Sequence, residues 1–244
     1  MVEKLQRLIT MKSTFNQIAF VVVTIFFIQS CTVNNVTVDD SIEKYFKDKQ
    51  LEGTFGMFDN SRGSFTIYNL DRFKQNFPPG ESFMIFSKLV GVHTGKLASD
   101  TVQIDFNSLN QLIGKDTLQF WVDSVKYGNK KWKQDSISIS PDEQLGLIKR
   151  LYFKQLPFRS SVQEAIKKSF IVENNAQYQL AYQKTELIND NKKISWVIGW
   201  VEENRHVYPF VINYTSALHT DTSAVSAALC KEILKHIGFF KGIM

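Results

Sequence analysis

The chain has 244 residues, of which 43% are hydrophobic and 22% charged, and it carries a formal net charge of +5. That charge is too mild to argue for nucleic acid as a partner. The composition is that of a globular protein, and the length fits one large domain or a two-lobed one.

The first thirty residues stand apart from any fold argument. Lys4, Arg7 and Lys12 precede a stretch from Ile18 to Ile28 that is apolar except for Thr24. This is a basic segment followed by an apolar one that is too short to span a bilayer as a helix. It ends in Phe27-Ile28-Gln29-Ser30-Cys31, which resembles the lipobox of bacterial lipoproteins. The resemblance implies cleavage before Cys31 and lipid on its sulfur and new amino terminus. Anchoring would follow, because each buried CH₂ contributes about 0.8 kcal/mol. The expected location is the bacterial cell envelope, on the periplasmic or outer-membrane face, with membrane lipid a partner through Cys31. The alternative is a plain secretory signal that happens to end near a cysteine. Met11-Lys12 also reads as a start. Setting aside residues 1–30, which hold Glu3, Lys4, Arg7 and Lys12, lowers the net charge to +3. Cys230 is then the only cysteine besides Cys31, so no disulfide between free thiols is expected.

Residues 31–40 read as a tether, and 41–244 as the folded domain. Ser41 to Gln50 is predicted as a helix capped by Asp40 or Ser41. Residues 54–58 and 64–68 alternate as strands around a polar turn and predict a hairpin. Pro78-Pro79-Gly80 breaks the chain, and Glu81 to Val92 follows as a buried helix ending at His93-Thr94-Gly95. Helices are predicted from Thr117 to Val125, stopped by Gly128, and from Pro141, with Leu145, Ile148, Leu151 and Tyr152 on one face. A further helix is expected to be capped by Ser160 or Ser161, with Glu164 as capping-box partner. Residues 178–182, 194–201 and 207–214 read as three consecutive antiparallel strands. Thr222 to Ile237 closes the chain as a helix, with Ala224, Ala227, Ala228 and Leu234 available for packing and Cys230 on its buried face. Strands at both ends with helices between argue for α+β: an antiparallel sheet with flanking helices and a helical lobe.

In this order the chain also carries Gly53-Thr54-Phe55, Tyr68-Asn69-Leu70, residues 83–95, Tyr127-Gly128-Asn129, residues 139–144, Leu156-Pro157-Phe158 and residues 196–202. Together these resemble the class D serine β-lactamases and the related penicillin-binding transpeptidases, from about Ser41 to Phe240. The resemblance implies a nucleophilic Ser-x-x-Lys at the start of the central helix, with the Lys as general base. Aligned on residues 83–86, this chain has Glu81 for the Ser and Met84 for the Lys. Ser82 is one step away, with Ile85 three residues beyond it. Lys88 stands about 10 Å along a helix from Glu81. The second motif falls on Thr101-Val102-Gln103, after a segment much shorter than in the enzymes. The third, Lys-Thr/Ser-Gly, reads Lys184-Thr185-Glu186. The arginine that grips a substrate carboxylate is replaced by Ser226.

A carboxylate is a poor acyl acceptor, and a thioether takes no proton at neutral pH. The expectation is therefore a non-catalytic member of the fold with a binding or structural role. Ser82, Lys184 and Thr185 are its pocket candidates, and its partner would be a cell-wall peptide or an envelope protein. The alternative is a divergent β-lactamase or transpeptidase acting by acyl transfer. No cofactor is expected. His93, His206, His219 and His236 lack paired metal-ligand spacing. Lys130-Lys131-Trp132-Lys133 reads as a solvated basic loop.

Overall fold

A computed structural model describes residues 35–240. Strand β1 (Val36–Val38) leads through a 3-10 turn (Asp40–Ile42) into helix α1 (Glu43–Lys47). Part of the expected tether is thus sheet, because β1 pairs in parallel with a strand that starts at Ser64. The cap is Asp39, whose carboxylate accepts from the Ser41 amide at 3.0 Å, and not Asp40 or Ser41. The predicted hairpin forms from β2 (Glu52–Asp59) and β3 (Ser64–Tyr68). A single turn of helix, α2 (Leu70–Phe73), follows.

After a 3-10 turn (Gly80–Ser82) come α3 (Phe83–Thr94), α4 (Phe106–Ile113) and α5 (Lys115–Val125). Helix α3 ends where Gly95 takes a left-handed conformation, φ +74°. Helix α4 is capped by Asp105, which accepts from the amides of Asn107 and Ser108. Helix α5 ends at Lys126, itself left-handed, two residues before the predicted stop at Gly128.

Helix α6 (Pro141–Tyr152) opens with a reciprocal capping box. The Ser140 hydroxyl accepts from the Glu143 amide and the Glu143 carboxylate accepts from the Ser140 amide. Pro at the first helical position adds to this start. Helix α7 (Ser160–Lys168) has no side-chain cap; Arg159 holds the cap position, and Glu164 pairs with Lys154 at 2.9 Å instead.

Four strands follow: β4 (Ile171–Asn174), β5 (Tyr178–Asn189), β6 (Lys192–Glu203) and β7 (His206–Ala217). The last three form the expected antiparallel meander, each longer than the alternation suggested. All seven strands join in one sheet, ordered β1-β3-β2-β7-β6-β5-β4.

Helix α8 (Thr222–His236) closes the fold. It buries Ser226, Leu229, Cys230, Ile233 and Leu234 against the sheet, while Ala224 and Ala228 face outward. One sheet face packs α1 and α8 through Phe46, Phe55, Ile212 and Leu229. The other face carries the helical lobe, with Phe83, Phe86, Leu89, Ile148, Trp196 and Trp200 in its core. This α+β sheet with a helical lobe is the architecture read from the sequence.

Candidate functional site

Pro78 and Pro79 turn the chain toward the sheet, and two hydrogen bonds fix that turn. The Trp196 indole donates to the Pro78 carbonyl at 3.2 Å, and the Ser82 hydroxyl donates to the Pro79 carbonyl at 2.6 Å. Gly80 sits at φ +53°, and a Cβ there would lie 2.6 Å from the Leu187 side chain. Both the conformation and the close approach to β5 demand glycine. The turn therefore presses on β5 and leaves Glu81 exposed at the rim, while Ser82 points inward and is 1% exposed. The first turn of α3 begins behind it with Phe83, whose ring stacks on Trp132 at 4.4 Å. Trp132 is thus half-buried, not solvated as the basic run suggested; only the lysines around it are exposed.

Two clefts meet at Glu81. One, of about 290 Å³, lies between β5 and the start of α8 and brings together Glu81, Lys184, Thr185, Glu186 and Ser226. The other, of about 210 Å³, runs toward the end of α7 and takes in Glu81, Met84, Lys88, Lys184 and Thr185. The fold therefore gathers the expected positions of the first and third motifs. Thr101 and Gln103 lie on an exposed turn that lines neither cleft, and the Thr101 hydroxyl is 2.8 Å from that of Ser99.

The polar groups of the clefts are largely committed to the protein. The Lys184 ammonium donates to the Ser223 carbonyl at 3.1 Å and to its hydroxyl at 2.7 Å. Glu186 lies 3.5 Å from Lys193, which also donates to the Thr220 carbonyl. Ser226 is 2% exposed, its hydroxyl 2.7 Å from that of Tyr214. Lys88 donates to the Asp100 carbonyl.

Acyl transfer needs a nucleophile with a base in hydrogen-bond reach. The Ser82 hydroxyl is bonded to a backbone carbonyl, and no lysine or histidine among the described residues bonds to it. Thr185 has its hydroxyl oxygen buried without a protein partner.

A feature the sequence reading missed lies beneath Ser82. Tyr127 and Gln144 border a cavity of about 30 Å³ together with Ser82, and Gln144 Oε1 has no protein partner. Burial pushes the ionisation of the Tyr127 hydroxyl far above its usual range. The sequence carries both residues, Tyr127 before Gly128-Asn129 and Gln144 after Glu143, but nothing in their spacing tells that they meet. His93 accepts from the Arg159 amide at 3.1 Å; burial and the Arg159 charge hold its pKa below the usual value. Among the described residues no group of His, Cys, Asp and Glu is placed to hold a metal ion. Cys31 lies outside the described residues.

The seven-stranded sheet with its helical lobe is a mixed α+β fold that matches the class D β-lactamases, as comparison with known proteins shows. No protein-family model matches the chain. It is 24% identical to the regulatory protein BlaR1 of Bacillus licheniformis, covering 86% of this chain and 40% of that protein. It is 26% identical to a probable β-lactamase, YbxI, of Bacillus subtilis, covering 84% of this chain and 86% of that one. The chain thus spans less than half of the first relative and most of the second.

Among solved structures, a class D β-lactamase from Nostoc superposes with a TM-score of 0.73 at 24% identity, covering 82% of this chain and 99% of that one. The C-terminal domain of the Bacillus licheniformis BlaR penicillin receptor also gives 0.73 at 24% identity, covering 84% and 97%. The resemblance to class D serine β-lactamases read from the sequence is supported by these relatives and neighbours, which also include the BlaR penicillin-receptor domain.

Proposed function

We propose that the protein is a non-catalytic member of this family, lipid-anchored at the cell envelope through Cys31, with a binding or structural role. The observation that carries the reading is the head of α3. Glu81 and Met84 stand where the family's serine and lysine belong, and the one serine nearby is buried and bonded to the Pro79 carbonyl. The surrounding cleft supports it. A glutamate occupies the third position of the Lys-Thr/Ser-Gly motif, and Lys184 spends its ammonium on Ser223. Ser226 is turned inward to Tyr214 and offers no positive charge to a substrate carboxylate. What remains is a pair of shallow clefts that can hold a ligand, such as a cell-wall peptide, without turning it over. The test is labelling of the purified chain with a fluorescent penicillin. No covalent label is expected, and a saturable label that survives denaturation refutes the reading.

A further inference from the structure

A third cleft, of about 450 Å³, opens at the opposite end of the sheet. Residues 178 and 203 pair there, seven positions along β5 from Thr185, or roughly 23 Å of strand. It is framed by the turns between β2 and β3, β4 and β5, and β6 and β7, with the C-terminal end of α6 as its floor. Its volume falls within the range of small-molecule sites.

Its chemistry differs from that of the clefts at Glu81. Six amide side chains line it: Asn60, Asn174, Asn175, Gln177, Gln179 and Asn204. Among the described residues only Asn175 of these commits its side chain to the protein, its oxygen accepting from the amides of Gln177 and Tyr178. Each of the other five offers both donors and an acceptor in one planar group.

The floor is aromatic. Tyr152 and Phe153 meet edge to face at 5.1 Å, and both are half-buried. The Lys167 ammonium sits 4.0 Å from the Tyr152 ring centre, which fixes that ring. Burial and the nearby Glu202 carboxylate raise the Tyr152 pKa, so its hydroxyl stays protonated and donates to Glu202, leaving the ring as its contribution to the floor.

Charge is sparse, two carboxylates against one arginine and a histidine. Glu202, Glu203, Arg205 and His206 line the cleft, and the Glu203 carboxylate already accepts from the Phe240 amide. Arg205 is the one full positive charge among the lining residues and is outnumbered by the two carboxylates, so the cleft is not built for an anion. An uncharged ligand rich in groups that both donate and accept hydrogen bonds, with a CH face to lay on a ring, matches this lining. We propose that the cleft framed by Asn60, Phe153, Gln177 and Asn204 binds a neutral saccharide, and that it is a site separate from the one at Glu81.

The test uses the full chain in detergent micelles, titrated with chitotetraose, cellotetraose and maltotetraose under saturation-transfer NMR and calorimetry. At least one neutral tetrasaccharide should bind. Replacing the exposed pair, Gln177→Ala with Asn204→Ala, should weaken that binding about tenfold, as expected for two lost neutral hydrogen bonds. Lys184→Ala, in the distant cleft, should leave it unchanged. The proposal is overturned if none of the three sugars binds, if the double variant binds as tightly as the parent, or if Lys184→Ala is the change that weakens binding. Tighter binding of a sulfated oligosaccharide than of the neutral ones would also overturn it. None of these outcomes bears on penicillin labelling, so the two readings stand or fall separately.

Discussion

Restoring the family's nucleophile and base, by Glu81→Ser with Met84→Lys, should destabilise the fold and still give no β-lactam hydrolysis. Glu81 lies in the 3-10 turn that leads into α3, where no side chain caps the helix. Its charge faces the positive end of the helix dipole, worth about 0.3–1 kcal/mol at an exposed site. Met84 is half-buried and packs against the core of the helical lobe. Losing about half the burial of such a side chain costs about 1 kcal/mol, and a lysine stem recovers part of it. The new ammonium sits in the first helical turn, where the dipole disfavours it by another ~0.3–1 kcal/mol. The sum is about 2 kcal/mol, which lowers the melting temperature by about 4–8 °C for a domain of this size. Thermal melting gives that number, and a chromogenic cephalosporin assay on the same preparation gives turnover. Hydrolysis above background would refute the reasoning. It would mean that Glu186, Ser226 and the displaced Thr101-Val102-Gln103 segment do not disable the site.

Three further outcomes are expected. Cys31→Ser should abolish palmitate incorporation and leave an unprocessed or soluble chain; persistent labelling would contradict the anchor. Leu89→Ala should cost about 3–5 kcal/mol, since Leu89 is 2% exposed and borders the cavity beneath Ser82, which the truncation would enlarge; denaturant unfolding measures it. The ion pair of Glu173 with Lys231 ties β4 to α8, and its hydrogen bonds from Lys231 and Tyr178 hold the Glu173 carboxyl below the usual glutamate range. A carboxyl depressed on folding stabilises at pH above its unfolded value and loses that contribution as pH falls through its folded value. Melting curves of the parent and Glu173→Gln should therefore differ at neutral pH and converge in acid.

The parts of the fold legible in the sequence are those with long, regular patterns. The three C-terminal strands are long runs rich in strand-forming residues, nearly continuous in burial along β6 and β7, and Pro141 with Ser140 and Glu143 marks the start of α6 by local chemistry alone. Strand β4 was missed because four residues, two of them polar, carry no clear alternation, and its place is set by pairing with β5. Strand β1 was read as tether for the same reason: it is three residues long and held by β3. The capping of α7 by Ser161 with Glu164 failed because the helix begins at Ser160, two residues earlier than such a cap requires, and Glu164 pairs with Lys154 instead.

At the site, the gathering of Glu81, Met84, Lys184 and Thr185 followed from motif order. The inward turn of Ser226 and the engagement of Lys184 with Ser223 depend on the packing of α8 against β5 and β7, which spacing alone does not encode. The sugar-type cleft was invisible for a related reason. Its amides come from three turns far apart in sequence, and no single turn looks unusual.

The central claim, proposed above, is that this chain has the class D β-lactamase fold without the acyl-transfer chemistry of those enzymes. Intact-mass measurement after prolonged incubation with excess benzylpenicillin tests it most directly. The account predicts an unchanged protein mass. A stoichiometric gain equal to one whole penicillin, mapped by peptide analysis to Ser82 or to any other residue lining the clefts at Glu81, would contradict it.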